Sequence, residues 1–287
     1  MIIFSMVLIG ICIVAYSIYP QPKQEKGLNI CLHLSDYNYE TIPYLVDLNI
    51  EWVRTDWLIT PDKSMQNYCQ DLQNNNIKIL TIIDVNTFGN QNFTLEQWNM
   101  TVTEIVTSEG FDTVDAVEIW NEPNAIAYID PEIYCELLKS AYVIIKNYTS
   151  IPVVLAGISP NIDGWQTYLN EIFANSYIEE YFDYMGIHLY DDVATNFETL
   201  QFVRNLTSKP IWLTETGKPS ENNAQAAQAN YIESIYSNFR FQVNKIFIYE
   251  LYDGEGAYPE AENYFGLLSL NGVKKEAYNV VWEINRK

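Results

Sequence analysis

An α/β fold, a single (β/α)8 TIM barrel behind an N-terminal hydrophobic segment, is what two features of the sequence predict. Eight short apolar, β-branched runs begin about 31 residues apart between positions 28 and 245, and the stretches between them carry the periodicity of amphipathic helices. No Gly-rich fingerprint follows any of these runs, which counts against the open doubly wound sheet that shares the same alternation. With 48% hydrophobic and 18% charged residues over 287 positions, the chain can bury one large core, and no low-complexity stretch or linker divides it.

The first nineteen residues, "MIIFSMVLIGICIVAYSIY", hold no charged side chain and are long enough to span a bilayer, while a basic leader and an A-x-A cleavage site are missing. Residues 1–20 therefore read as a membrane anchor or a signal peptide. Sequons at Asn92, Asn99, Asn147 and Asn205 favour export, although Lys23 and Lys26 just after the apolar run pull the other way. The expectation is an extracellular protein, secreted or anchored, whose membrane contact is through this segment alone.

The barrel domain follows over residues 28–287. Its strands are "LNICLHL" from 28, "IEWVRTDW" from 50, "IKILTIIDV" from 77, "AVEIWNEP" from 116, "PVVLAGIS" from 152, "YMGIHLY" from 184, "PIWLTET" from 210 and "KIFIYELY" from 245. Helix starts are legible between them. Asp130 is a natural N-cap with Pro131 in the first helical position, ahead of a stripe of Ile133, Leu137, Leu138, Ala141 and Ile145. Thr94 and Gln97 have the spacing of a capping box.

Cys31, Cys69 and Cys135, with Cys12 in the leader, show no C-x-x-C or zinc spacing, and they read as buried thiols in preference to a disulfide. The formal charge of −21, from 37 acids against 16 Lys and Arg, argues against nucleic acid and anionic surfaces and favours a neutral partner. The 22 Tyr and 7 Trp supply rings that could stack on a flat ligand.

Two short motifs carry the chemistry. "VEIWNEPN" ends the fourth strand and "IWLTETG" ends the seventh, and each delivers a glutamate, Glu122 and Glu215, where the apolar run stops. All strands of a parallel barrel end at one face, so both carboxylates look into one bowl. A facing pair suffices to cleave a glycosidic bond: one protonates the leaving oxygen while the other attacks or stabilises the anomeric carbon. Neither step needs a metal or an organic cofactor.

"WNEPN" and "WLTETG" together resemble the signature of clan A glycoside hydrolases, the retaining (β/α)8 enzymes. The closing stretch "YELYDGEGAYPEAENYFGLLSLNGVKKEAYNVV" is similar to the end of family 39-like and family 5-like members, and the likeness runs from about residue 28 to 285. The resemblance implies that Glu122 is the general acid/base and Glu215 the nucleophile, with Asn121 bonding the sugar 2-hydroxyl. It implies that Arg54 in "VRTDW" supports the nucleophile and that "HLY" on the sixth strand supplies His188 and Tyr190. The chain departs from the family on the eighth strand, where many members place a Trp beneath the sugar and this sequence has "IYELY", leaving Tyr249 or Tyr252 for that place.

These roles also make physical sense on their own. A nucleophile must be ionised, which an adjacent guanidinium and hydroxyl favour, and the acid must keep its proton beside that charge. His33 ends the first strand and is a further candidate, as is Glu250, which could line the bowl or anchor the next loop. Trp57 and Trp165 follow the second and fifth strands, where they could be sugar platforms or core filler. The reading is a retaining β-glycoside hydrolase acting on a neutral polysaccharide or glycan by double displacement, endo-acting, without cofactor or metal. Its rivals are a transglycosylase with the same catalytic residues and a non-catalytic surface barrel that only binds glycans.

Overall fold

The computed structural model describes residues 27–33, 40–57, 63–84, 93–125, 128–221, 224–256 and 259–287. Eight parallel strands close on themselves: β1 Asn29–Cys31, β2 Trp52–Asp56, β3 Lys78–Ile83, β4 Ala116–Asn121, β5 Val153–Ile158, β6 Tyr184–His188, β7 Ile211–Thr216 and β8 Lys245–Ile248. Asn29 pairs with Phe247 to complete the ring. All eight strands expected from the sequence are present, the first shortened to three residues.

Helices α1 Thr41–Asp47, α2 Lys63–Asn74, α3 Leu95–Val106, α4 Pro131–Tyr148, α5 Trp165–Ala174, α6 Val193–Leu206, α7 Gln225–Phe239 and α8 Glu276–Ile284 follow the strands in turn. Both anticipated caps form: Thr94 Oγ1 accepts from Gln97 N at 3.2 Å while Gln97 Oε1 accepts from Thr94 N at 2.8 Å, and Asp130 Oδ1 accepts from Glu132 N at 2.9 Å. One position on the expected stripe of α4 is wrong. Ile133 is 57% exposed and Tyr134 is buried in its place. The reason is polar: Tyr134 Oη donates to Ile119 O at 3.0 Å and accepts from Ala156 N at 2.9 Å, which turns that residue toward the sheet.

The core has two layers. Most buried side chains fill the space between strands and helices, while Cys31, Trp52, Leu80, Ala116, Val154, Trp212 and Phe247 pack inside the barrel. At the floor, Trp52 and Trp212 meet edge to face at 5.5 Å, with the Lys245 ammonium 4.3 Å and 4.9 Å from their rings. Asn285, just after α8, joins the ends of the domain: its Oδ1 accepts from Leu28 N at 2.7 Å, and its Nδ2 donates to Leu28 O and Leu48 O.

Cys31, Cys69 and Cys135 are buried thiols. Residues 1–20, Cys12 and the sequon at Asn92 lie outside the described residues, among which no helix is long and apolar enough to cross a membrane. Asn147 and Asn205 are exposed near the ends of α4 and α6, whereas Asn99 is half-buried in α3, its carbonyl bonded by Ser140.

Candidate active site

Left-handed backbone at the end of β4 and register slips on β5 and β7 build the bowl at the C-terminal ends of the strands. Alternation along β4 points Ala116 and Glu118 inward, and would send Trp120 after them. Trp120 instead adopts a φ of 77°, which reverses the alternation. Its ring packs outside the barrel against Trp98 and Phe93, and Asn121 enters the bowl. Glu122 follows at a φ of 44°, its N–H bonded to Gly157 O. Register slips on β5 between Leu155 and Ile158, and on β7 between Leu213 and Thr216, re-aim the other walls. The second slip brings Glu215 inward, although alternation would have placed it on the face opposite Trp212.

Arg54 of β2 organises the centre. Its Nε donates to Glu118 Oε2 at 2.6 Å, its Nη1 to Glu215 Oε1 at 2.6 Å and its Nη2 to Asn121 Oδ1 at 2.8 Å. Burial works against the guanidinium charge, but Glu118 and Glu215 more than offset it. Glu118, fully buried, also accepts from Gly157 N at 2.7 Å.

Glu215 accepts from Tyr190 Oη at 2.7 Å on its second oxygen. Burial alone would raise this carboxyl; His188, Arg54 and Tyr190 together hold it below the usual glutamate value, and burial with the Glu215 charge pushes the Tyr190 phenol well up. His188 lies beneath both glutamates, with Nδ1 2.8 Å from Glu122 Oε1 and 3.4 Å from Glu215 Oε2. The imidazole proton belongs on Nδ1, which faces two carboxylates, because Nε2 meets no hydrogen-bond partner among the described residues. Burial opposes protonation of the ring, and the two carboxylates outweigh it, so its pKa is raised. Gly157 makes room for it: a Cβ there would lie 2.0 Å from His188 Nε2.

Ligating atoms of Glu122, His188 and Glu215 all lie within 4.8 Å of one another, so one oxygen of each glutamate falls inside that limit. This spacing could hold a cation, but the Arg54 guanidinium already supplies a positive charge 2.6 Å from Glu215.

A cleft of about 400 Å³ opens above them, lined among others by Arg54, Asn121, Glu122, Tyr190, Glu215 and Tyr249. His33 also lines it, half-exposed, with Nε2 2.6 Å from Glu250 Oε2 and 3.1 Å from Tyr249 Oη. Two candidates reach the cleft only through others: His188 is fully buried under the glutamates, and Glu250 is buried behind His33. Tyr249, not Tyr252, stands on the eighth-strand wall, since Tyr252 packs against Tyr44. Trp57 is buried against Phe111, and Trp165 packs on Phe202. Neither lines the cleft.

Sequence reasoning missed Glu118, Asp56, Glu262 and Phe265. A carboxylate in the middle of the apolar run "AVEIW" was a usable signal for Glu118, because a buried charge requires a partner. Glu262 and Phe265 sit in the long connection after β8 and offered no such signal.

A family profile described as the glycosyl hydrolase catalytic core matches residues 45–258. No curated protein matches the chain. Among solved structures, a family 39 glycoside hydrolase from the gut symbiont Bacteroides cellulosilyticus WH2 is similar with a TM-score of 0.72 at 18% identity, over 93% of this chain and 65% of that one. A monomeric beta-xylosidase from Caulobacter crescentus CB15 gives 0.69 at 15%, over 93% of this chain and 69% of that one. An active-site mutant of the Rhizomucor miehei beta-1,3-glucanosyltransferase in complex with laminaritriose gives 0.62 at 14%, over 88% and 97%. The chain thus spans about two thirds of the length of the first two, and at these identities the likeness is one of fold.

Proposed function

The chain belongs to the glycosyl hydrolase catalytic core family, and from that membership we propose a retaining β-glycosidase working by double displacement, with Glu215 as nucleophile and Glu122 as general acid/base. The observation that carries the reading is the spacing of the two carboxylates. One oxygen of each glutamate lies within 4.8 Å of the other, which leaves no room for a water between Glu215 and the anomeric carbon, in keeping with the roughly 5–5.5 Å of retaining sites and short of the roughly 6.5–9.5 Å of inverting ones.

In the first displacement a Glu215 oxygen attacks the anomeric carbon, the bond to the leaving oxygen breaks, and that oxygen takes the proton of Glu122. In the second, the Glu122 carboxylate takes a proton from water, the water oxygen attacks the anomeric carbon, and the ester to Glu215 breaks. Arg54 and Tyr190 favour the ionised form of Glu215 before attack and after release. His188 steadies Glu122 from below.

The substrate is a β-glycan without anionic groups, because the acid-rich chain would repel a polyuronate. The proposed cleavage is internal to the glycan chain. The apolar segment at residues 1–20 and the exposed sequons Asn147 and Asn205 support a secreted or membrane-anchored enzyme.

Proton NMR of the first product formed from a β-glycan tests the mechanism. The β anomer is expected before mutarotation, and an α anomer appearing first would overturn double displacement. Transglycosylation is a second reading, favoured by the glucanosyltransferase neighbour, of which 97% is matched. It predicts products longer than the substrate at high oligosaccharide concentration.

A further inference from the structure

The charge of the cleft narrows the kind of sugar that fits. Every one of the eight stretches following the barrel strands contains an Asp or Glu, whereas the only Lys or Arg in them are Lys218, Lys274 and Lys275. All three lysines are engaged: Lys274 with Asp47, Lys275 with Asp253 and Ser220, and Lys218 over the Tyr231 ring. In the cleft itself, Arg54 is matched by Glu118 and Glu215, and His33 by Glu250. Glu262 lines the same space and adds negative charge beyond those pairs.

Glu262 stands apart from these pairs. Its carboxylate makes no hydrogen bond or ion pair with any described residue, and burial together with the charges of Glu215 and Glu122 pushes its pKa up. Its segment cannot simply swing away to relieve that repulsion. Lys275 bonds Asp253 and Tyr264 O, Gln228 Nε2 donates to Phe265 O at 2.8 Å, and Ser220 N donates to Tyr264 O at 2.9 Å. The wall is held so that an unmatched acid faces the cleft.

Resting on the glycosidase reading, we propose that the glycan taken by this cleft carries free amino groups, and that Glu262 is the counter-charge for an ammonium group on the bound sugar. A cationic glycan supplies the charge that the protein does not, and the acidic mouth draws it in from solution. A neutral glycan leaves Glu262 unmatched, and a polyuronate meets like charge.

Binding and reducing-end release are measured together for β-1,4-linked glucosamine oligomers, their fully N-acetylated counterparts, neutral β-1,3- and β-1,4-glucan oligomers and a β-linked polyuronate. The tests use the wild type, Glu262→Gln and Glu260→Gln, the last an exposed acid of the same segment outside the cleft lining. The amino oligomer is expected to bind about tenfold more tightly than its acetylated form at low salt, with the advantage shrinking as salt is added. Glu262→Gln is expected to remove most of that advantage and Glu260→Gln little of it. Equal binding of amino and acetylated oligomers, or an advantage that Glu260→Gln reduces as much as Glu262→Gln, would overturn the inference. Hydrolysis of neutral glucans with the amino oligomers ignored would end it while leaving the glycosidase intact. Failure to release reducing ends from any of these β-glycans would count against both.

Discussion

Arg54 and Glu215, 161 residues apart in sequence, are joined by a 2.6 Å hydrogen bond, and the same guanidinium serves the fully buried Glu118 from its Nε. One cation therefore fixes Glu215, a second carboxylate and Asn121 at once.

A lysine at that position could not span three acceptors, because its single ammonium is a point charge and lacks the planar fork. Arg54→Lys is expected to lower kcat/KM by about 10²–10³-fold and to destabilise the fold by about 3–5 kcal/mol, since Glu118 loses its buried partner. Steady-state kinetics and denaturant melts check both. Retention of activity within a few-fold would mean that Arg54 does not organise the site.

The two glutamates have separable signatures. With a substrate bearing a good leaving group, Glu122→Ala should still form the glycosyl ester and stall, and azide should then rescue turnover to a β-glycosyl azide. Glu215→Ala with azide should yield the α product, because only one displacement occurs. An α azide from the Glu122 variant would show the roles to be reversed.

Opposite pKa shifts on touching groups define a pH window. Glu215 is lowered from 4.5, so the stability it contributes is complete above that value and is lost as pH falls through its lowered pKa. His188, facing Glu122, Glu215 and Arg54, is raised from 6.5, so its contribution is complete below 6.5 and is lost as pH rises through the raised value. The stability difference between wild type and Glu215→Gln should be largest and flat between 4.5 and 6.5 and shrink on both sides. Urea midpoints measured across pH will show this, and a difference that grows toward pH 8 would contradict it.

Gly157 offers a test of the space beneath the acids. A Cβ at this position would stand 2.0 Å from His188 Nε2 and 2.6 Å from Thr214 Oγ1, and neither buried group has room to retreat. Gly157→Ala should cost about 1–3 kcal/mol of stability and reduce kcat more than KM, because displacing His188 disturbs Glu122. An unchanged melting temperature would show that the floor under Glu122 is softer than the geometry implies.

The barrel was legible because its signals are local and repeated: each strand is an apolar run and each cap sits next to its helix. Glu122 and Glu215 were legible because strand ends in such a barrel share one face. What alternation could not reveal is which side each neighbour takes. The left-handed backbone at Trp120 exchanges that ring for Asn121 in the bowl, and the slip on β7 turns Glu215 inward. Both depend on contacts with other strands that no local pattern encodes. Ile133 and Tyr134 exchanged places for a similar reason, since a phenol that must reach two backbone groups outweighs one more aliphatic on the stripe. Glu262 and Phe265 were hidden because a long connection has no period to read.

The stitch made by Asn285 has a directional consequence. It binds Leu28 at the entry to β1, at the end of the barrel closed by Trp52, Trp212 and Lys245, while the cleft opens at the other end. Whatever precedes Gly27 is therefore attached at the pole opposite the mouth. A support or tag coupled through Gly27 thus stands at the closed base of the barrel, on the side away from the cleft.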